Sequence, residues 1–337
     1  MTFDDMATAL AQSEDYRVLK RLALERMLHP ADAQPVRSGL FIDVETTGLD
    51  PARDEIIEIA MIPFDYSLDG RIYNVSPAFE GLQEPSVSIP AHITAITGID
   101  DAMVAGQSID REAVALFAAP ASLVIAHNAA FDRRFVERFS DVFTTKPWAC
   151  SMTQVDWLAE GYEGTKLAYL SMGAGFFYDR HRAAHDCAAG IALLAGALPR
   201  SGDLALGQLL RNARTPTWRV WAEGAPFDLK DILKSRGYRW NGDAVTGPKA
   251  WYIDVKEGEQ AAERSFLQRE IYLRDVEPIM RRVDAFDRFS DRVRTKQLLT
   301  CRQPQFGRRS DSLSTAKPST SPILPMRTMF KSATRHS

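Results

Sequence analysis

An α/β fold built on a mixed sheet is what this 337-residue sequence predicts. Three observations carry that expectation. Residues 40–45 (LFIDVE) alternate with the two-residue period of a strand. Two further apolar runs, 55–64 and 70–79, flank the turn signal Asp69-Gly70, which predicts an antiparallel meander of three strands. Beyond residue 105, short apolar runs alternate with helical periodicity, the pattern of parallel strands with helices on both faces. A meander followed by alternation describes a mixed sheet, not a doubly wound parallel one.

Taken in order, residues 5–28 predict an amphipathic helix with Leu10, Val18, Leu22 and Met27 among its apolar positions, closed by Pro30 and Pro35. Residues 1–37 are therefore expected to form a helical extension. After the meander, helices over 109–119 and 129–139 flank a short buried strand at 123–126. A fifth strand near 147–151 and helices near 152–160, 166–173 and 183–197 complete the layer.

The stretch Pro-Arg-Ser-Gly-Asp at 199–203 reads as a boundary opening a linker over 199–213. Residues 214–300 then predict a small α+β unit, with strands at 218–222 and 250–255 around a helix at 228–236. Trp218, Trp221, Trp240 and Trp251 are expected to supply its core, because so small a unit needs large side chains, although exposed tryptophans can also stack on bases. Residues 259–294 predict Arg-rich helices interrupted at Pro278, with Val283, Phe286 and Phe289 as an apolar docking stripe. Residues 301–337 are rich in Ser, Thr and Pro, carry seven basic and one acidic side chain, and predict a disordered tail.

Hydrophobic content of 45% and charged content of 25% are those of a soluble globular protein. No apolar run approaches the ~20 residues needed to cross a bilayer, and the N-terminus lacks a signal peptide's basic start. Cys150, Cys187 and Cys301 are far apart, which argues against a disulfide framework and fits a reducing, cytoplasmic setting. The net charge of −3 hides a gradient: residues 1–200 carry 16 basic and 28 acidic side chains, residues 201–337 carry 25 and 16. Any contact with nucleic-acid phosphates is expected in the basic half. Truncation after about residue 199 is expected to spare the chemistry and weaken that contact.

The chemistry gathers at three motifs. Asp43 and Glu45, two apart on a strand, face the same way at the end of an apolar run. Unpaired, they would repel each other and resist burial; a divalent cation relieves both penalties, and an all-oxygen site suits Mg²⁺ or Mn²⁺. Thr46, Thr47 and Gly48 then break the strand, with Gly48 free to take a positive φ. The second motif, His127-Asn128-Ala129-Ala130-Phe131-Asp132, enters a helix from the buried strand, where an acid can reach over a sheet edge. In the third, His181 precedes a helix starting near Ala183 that carries His185 and Asp186. His181 and His185 have a zinc-like spacing of four, but no third nitrogen or sulfur ligand is spaced to join them.

Together Asp43, Glu45, Asp132, His181 and Asp186 make the chain resemble the DEDD exonucleases, in the histidine branch that includes the proofreading subunit of bacterial DNA polymerase III, RNase T and oligoribonuclease. The resemblance covers residues 38–198. It implies an RNase H-like sheet and hydrolysis of 3′-terminal phosphodiesters to nucleoside 5′-monophosphates. It further implies two metal ions held by Asp43, Glu45, Asp132 and Asp186, with His181 as general base. By the same resemblance Thr46, Thr47, Gly48, Leu49, Asn128 and Phe131 would border the terminal nucleotide, and residues 90–99 would line the cleft. Thr97 stands where polymerase III relatives often have histidine, which leaves a polymerase partner open. His127 reads as a packing histidine and His92 as a loop residue. The expected substrate is single-stranded DNA in proofreading, repair or turnover. RNA trimming, or a nucleic-acid-binding accessory role beside a DNA polymerase or other replication or repair partner, is the alternative.

Overall fold

The computed structural model describes residues 1–242 and 248–291. The expected disordered tail at 301–337 lies outside them. At the N-terminus only Phe3–Ala11 (α1) is helical, opened by a capping box in which Thr2 and Asp5 bond reciprocally. The expected helix over 5–28 stops there. Leu22, Leu24 and Leu28 follow in extended chain and pack on the main core, and Lys20–Arg21 (β1) pairs with a later two-residue strand. The spacing of two from Leu22 to Leu24 suits extended chain better than a helix, and tertiary packing took that option.

The central six-stranded sheet is mixed, as expected. Arg37–Thr46 (β2) and Ile56–Tyr66 (β3) are long antiparallel partners. Ile72–Val75 (β4) follows through the Asp69-Gly70 turn, where Gly70 has φ +102°. The run expected as one strand over 70–79 is broken: Phe79–Leu82 (β5) pairs separately with β3, after Pro77, whose missing N–H cannot extend a ladder. Ala91–Thr97 (α2), Asp101–Val104 (α3) and Arg111–Ala118 (α4) follow. Exposed His92 therefore sits on a helix and not in a loop. Leu123–Ala126 (β6) lies parallel beside β2, and after Ala129–Phe139 (α5) the strand Trp148–Cys150 (β7) lies parallel to β6.

Residues expected as a helix at 152–160 form turns instead. They are anchored by buried Trp157, whose indole N–H donates to Ser151 O at 2.7 Å. Leu167–Gly173 (α6), Phe176–Phe177 (β8, the partner of β1) and Ala183–Ala195 (α7) complete the layer. The sheet separates two cores. Phe41, Ala60 and Ile62 pack with α7 on one face, while Leu40, Ile42 and Val44 pack with α4 and α5 on the other.

The stretch expected as a linker at 199–213 is instead largely helix Ala205–Arg214 (α8). Leu206, Leu209 and Leu210 are buried in the same core as α7. Gly207 lies against the Asp69-Gly70 turn so tightly that an added Cβ would stand 2.6 Å from Asp69 O. The 199–203 turn signal was genuine, but it led into an apolar stripe at helical spacing that the core absorbs.

Beyond it, Thr217–Ala222 (β9), Lys230–Ser235 (α9), Arg239–Trp240 (β10), Trp251–Lys256 (β11), Gln260–Phe266 (α10) and Met280–Val283 (β12) form a small unit. Its antiparallel sheet runs β10-β11-β9-β12. The expected second Arg-rich helix after Pro278 is a strand, because β9 offers an open edge and Val283 a side chain to bury. Trp221 is buried and Trp218 and Trp251 pack on this unit's core, whereas Trp240 is 54% exposed. Val283, Phe286 and Phe289 accordingly form no helical stripe: Phe289 packs on the sheet's second core and Phe286 is exposed.

Residues 285–290 then strap back onto the large sheet. Trp148 N–H donates to Ala285 O at 2.8 Å. The fully buried Arg133 guanidinium donates to Arg288 O at 2.6 Å and Phe286 O at 2.7 Å. Arg288 in turn donates to Ala213 O and Thr215 O.

The strap and α8 reverse the truncation expectation. A chain ending near residue 199 loses a leucine face from its core and leaves carbonyl partners of buried Arg133 missing, and is expected to unfold. In the intact chain, Leu209→Ala should cost about 2–5 kcal/mol. A truncated chain melting like the full-length one, followed by circular dichroism, would contradict this.

Candidate active site

At the end of β2 the pleat turns Asp43 and Glu45 to the side of Phe41, beneath α7. Helix α7 comes this close because Gly190 lies on the Phe41 ring, where an added Cβ would stand 2.1 Å from a ring carbon. One turn earlier on α7 is Asp186. Carboxylate oxygens of Asp43, Glu45 and Asp186 lie within 4.8 Å of one another. The two long strands slip register after Glu45, a bulge that ends the ladder at the acids.

Two residues that sequence reasoning missed hold α7 in place. Glu58, directly opposite Glu45 on β3, is buried. It accepts from Arg182 Nε and Nη2 at 3.0 and 2.8 Å and from the Ala183 N–H at 2.9 Å, so it pins the N-terminus of α7 to the sheet. Its signal was present: a lone acid inside the apolar run EIIEIAMIPF. Tyr178 donates its hydroxyl to Asp186 Oδ1 at 2.7 Å, and nothing in its sequence surroundings marked it. Asp186 Oδ2 accepts from the His181 N–H at 2.8 Å. His181 lies outside the helix, exposed, with φ +62°, a conformation that costs most residues energy and recurs at functional sites.

Asp132 arrives from the opposite side on the first turn of α5. It is 2% exposed and accepts the Val44 N–H at 3.2 Å, which places it beside the strand that carries Asp43. It stands outside the tight trio. Asn128, at φ +76°, makes the sharp entry into α5 and is exposed. Phe131 is half-buried, its ring 4.9 Å from that of Phe135. His127 packs inside, with Nε2 donating to Thr165 O at 2.8 Å and Nδ1 accepting from Ser151 at 2.9 Å; burial pushes its pKa down to about 4, so it stays neutral.

The turn after the acids is internally satisfied. Thr46 Oγ1 donates to Gly48 O at 2.6 Å and Thr47 Oγ1 accepts from the Glu55 N–H at 3.0 Å. Gly48 does not take up the positive φ open to it. Its constraint is proximity: an added Cβ would stand 2.5 Å from an Asp54 carboxylate oxygen, and Asp54 Oδ2 holds the Asp50 N–H at 2.7 Å. Leu49 projects from this turn, 81% exposed. His185 donates to Asp179 O and takes no part in the acidic group. Thr97 is buried, its hydroxyl held between Ile93 O and the Ile99 N–H.

The acids are held against their ordinary chemistry. Burial, reinforced by Asp132, Asp186, Glu45 and Glu58, drives the Asp43 pKa well up. Burial raises Asp132 as well, against the lowering effect of the Val44 N–H. Asp186 is raised by burial despite the Tyr178 hydroxyl, and Glu45 reaches about 8 through burial and then the charges of Asp186 and Glu58. Hard oxygen donors at this separation fit a divalent cation, whose charge would offset the repulsion. Among the described residues this is the one such cluster.

Part of the chain is similar to known nucleases and polymerases. Residues 40–194 match the exonuclease family RNase_T. The chain is 35% identical over 103 residues to a PolC-type DNA polymerase III of Caldanaerobacter subterraneus, covering 29% of this chain and 7% of that one. It is 27% identical over 154 residues to DNA polymerase III subunit epsilon of Aquifex aeolicus, covering 44% and 73%. A solved structure of exonuclease X with 5′-overhanging duplex DNA is 28% identical with TM-score 0.40, covering 52% and 98%. The chain thus spans a tenth or less of the PolC-type relatives it matches first. Among the described residues no helix is long and apolar enough to cross a membrane.

Because Glu45 titrates near 8 in the fold against an ordinary 4.5, the folded state keeps its proton longer than the unfolded chain. The stability this contributes is fully present below about pH 4.5 and lost as pH rises through about 8. In EDTA the melting temperature is expected to fall across that window, and Glu45→Gln should flatten the fall. Identical pH profiles for the two proteins would contradict the raised pKa.

Proposed function

We propose that the exonuclease-family domain at residues 40–194 removes nucleoside 5′-monophosphates from the 3′ end of single-stranded DNA, with two Mg²⁺ or Mn²⁺ ions as cofactors. The observation that carries the reading is the trio Asp43, Glu45 and Asp186, assembled from two elements, with buried Asp132 brought beside the same strand from a third. Four carboxylates would hold two cations, Asp43 shared between them, Glu45 and Asp186 on one and Asp132 toward the other. When bound, the metals would supply charge neutralisation to the phosphate and acidify the attacking water.

The chain's own groups do the rest. Asp186 is oriented by Tyr178 and by the His181 N–H, so the loop bearing His181 is tied to a metal-ligand candidate through its backbone while the imidazole stays exposed. An exposed imidazole beside the acids is placed to accept a proton from water. Glu58 and Arg182 hold the helix that carries Asp186, so they position without reacting. Leu49 and Asn128, both exposed, are the residues offered to the terminal nucleotide, with the Thr46–Thr47–Gly48 turn beneath Leu49.

Degradation of 5′-labelled single-stranded DNA and RNA of equal sequence, with Mg²⁺ or EDTA, tests polarity, metal dependence and sugar preference together. DNA is expected to shorten from its 3′ end with Mg²⁺ alone. Preferential loss of RNA would turn the reading to RNA trimming. Asp43→Asn should nearly abolish turnover. His181→Ala should lower the rate by on the order of 10²–10⁴, and His185→Ala should leave it near wild type. Equal effects of the two histidine substitutions would remove His181 from the base role.

A further inference from the structure

Between the exonuclease domain and the small antiparallel unit lies a cleft of about 980 Å³ that the proposed reaction at the acids does not use. Its lining includes Asn128, at the entry to the helix bearing Asp132, and Arg239, Trp240, Tyr252 and Lys256 of β10 and β11 in the small unit. We propose that this cleft holds the single strand of DNA upstream of the 3′-terminal nucleotide, with Trp240 as a stacking platform and Lys256 and Arg239 on the phosphates. The proposal rests on the exonuclease reading and extends it to the strand outside the reacting nucleotide.

The chemistry of the walls favours this occupant. Trp240 is the tryptophan of the small unit that its core does not take. It is more than half exposed and lines the cleft, while Trp251 contacts it edge-on at 5.6 Å. A large open aromatic is a surface on which any base can stack. The lining carries five basic and three acidic side chains. Two acids are already engaged: Asp254 with Arg219 at 2.7 Å and Arg239 at 3.3 Å, and Asp291 with Arg134 at 2.7 Å. Arg288 points its donors at carbonyls, and Lys256 is exposed. The buried hydroxyl of Thr217 also lines the cleft and, among the described residues, has no hydrogen-bond partner. A cationic, donor-bearing wall with one open aromatic matches a flexible polyanion carrying bases.

Binding of the full-length chain to a labelled single strand of about 16 nucleotides, in EDTA at several salt concentrations, tests the assignment. Trp240→Ala should weaken binding by about 5- to 150-fold and Trp240→Phe by much less, since phenylalanine keeps a stacking face. Lys256→Ala should lower the slope of log affinity against log salt by about 0.7, one phosphate on a single strand. Turnover of a dinucleotide with Mg²⁺, too short to extend from Asn128 to Trp240 and Lys256, should be unchanged in all three. Unchanged long-strand affinity in Trp240→Ala and Lys256→Ala would overturn the proposal. So would a dinucleotide rate that falls in step with affinity, which would place these residues at the acids. If the wild-type chain hydrolyses nothing, the exonuclease reading fails, while the binding series in EDTA still decides whether the cleft takes the strand.

Discussion

The buried carboxylate of Glu58 is the contact on which the rest of the site depends. It accepts three donors from one short segment, two from Arg182 and one from the first turn of α7, and is nearly sealed from water. A buried charge is tolerable only when it is paired and fully hydrogen-bonded, so those donors cannot drift without a large penalty. With the helix start fixed at β3 and Gly190 fixing its next turn on Phe41, the position of Asp186 follows. The acidic trio is thus set in place by a fourth acid whose own charge is already paired.

That arrangement separates two uses of negative charge within one face of the sheet. Glu58 is neutralised by the protein itself. Asp43 and Glu45 are not, and burial beside other acids raises their pKa values instead. The fold holds them in place through the strand ladder, at a cost to its own stability that a cation would offset. A site assembled from repelling groups is therefore also a place where ligand binding and folding stability are coupled.

The back half of the chain belongs to the same mechanics. Helix α8 fills the core beneath α7, and the 285–290 strap gives its carbonyls to Arg133, the residue after Asp132. Two neighbouring residues of one helix thus face different tasks: Asp132 toward the acids, Arg133 toward the strap. The charge gradient between the two halves was read correctly as a gradient, but its basic members are partly consumed in holding the halves together.

Much of the site was legible because its residues sit on elements whose geometry is local. The two-residue period puts Asp43 and Glu45 on one face in any strand, and the spacing from His181 to Asp186 straddles a helix start in any register near Ala183. The mixed sheet followed from the Asp69-Gly70 turn and the later alternation for the same reason. What only the tertiary structure decided involves partners distant in sequence. Leu22 and Leu24 became extended chain because a core was there to receive them, and 205–214 became a core helix although a turn signal preceded it. Residues 280–283 became a strand because β9 had an open edge. Gly48 proved to be required by Asp54 and not by its own φ, and Glu58 acquired its role from an arginine 124 positions away. Local periodicity determines which way a side chain faces; what stands opposite it is decided by burial and by the pairing of buried charge, which a linear pattern does not contain.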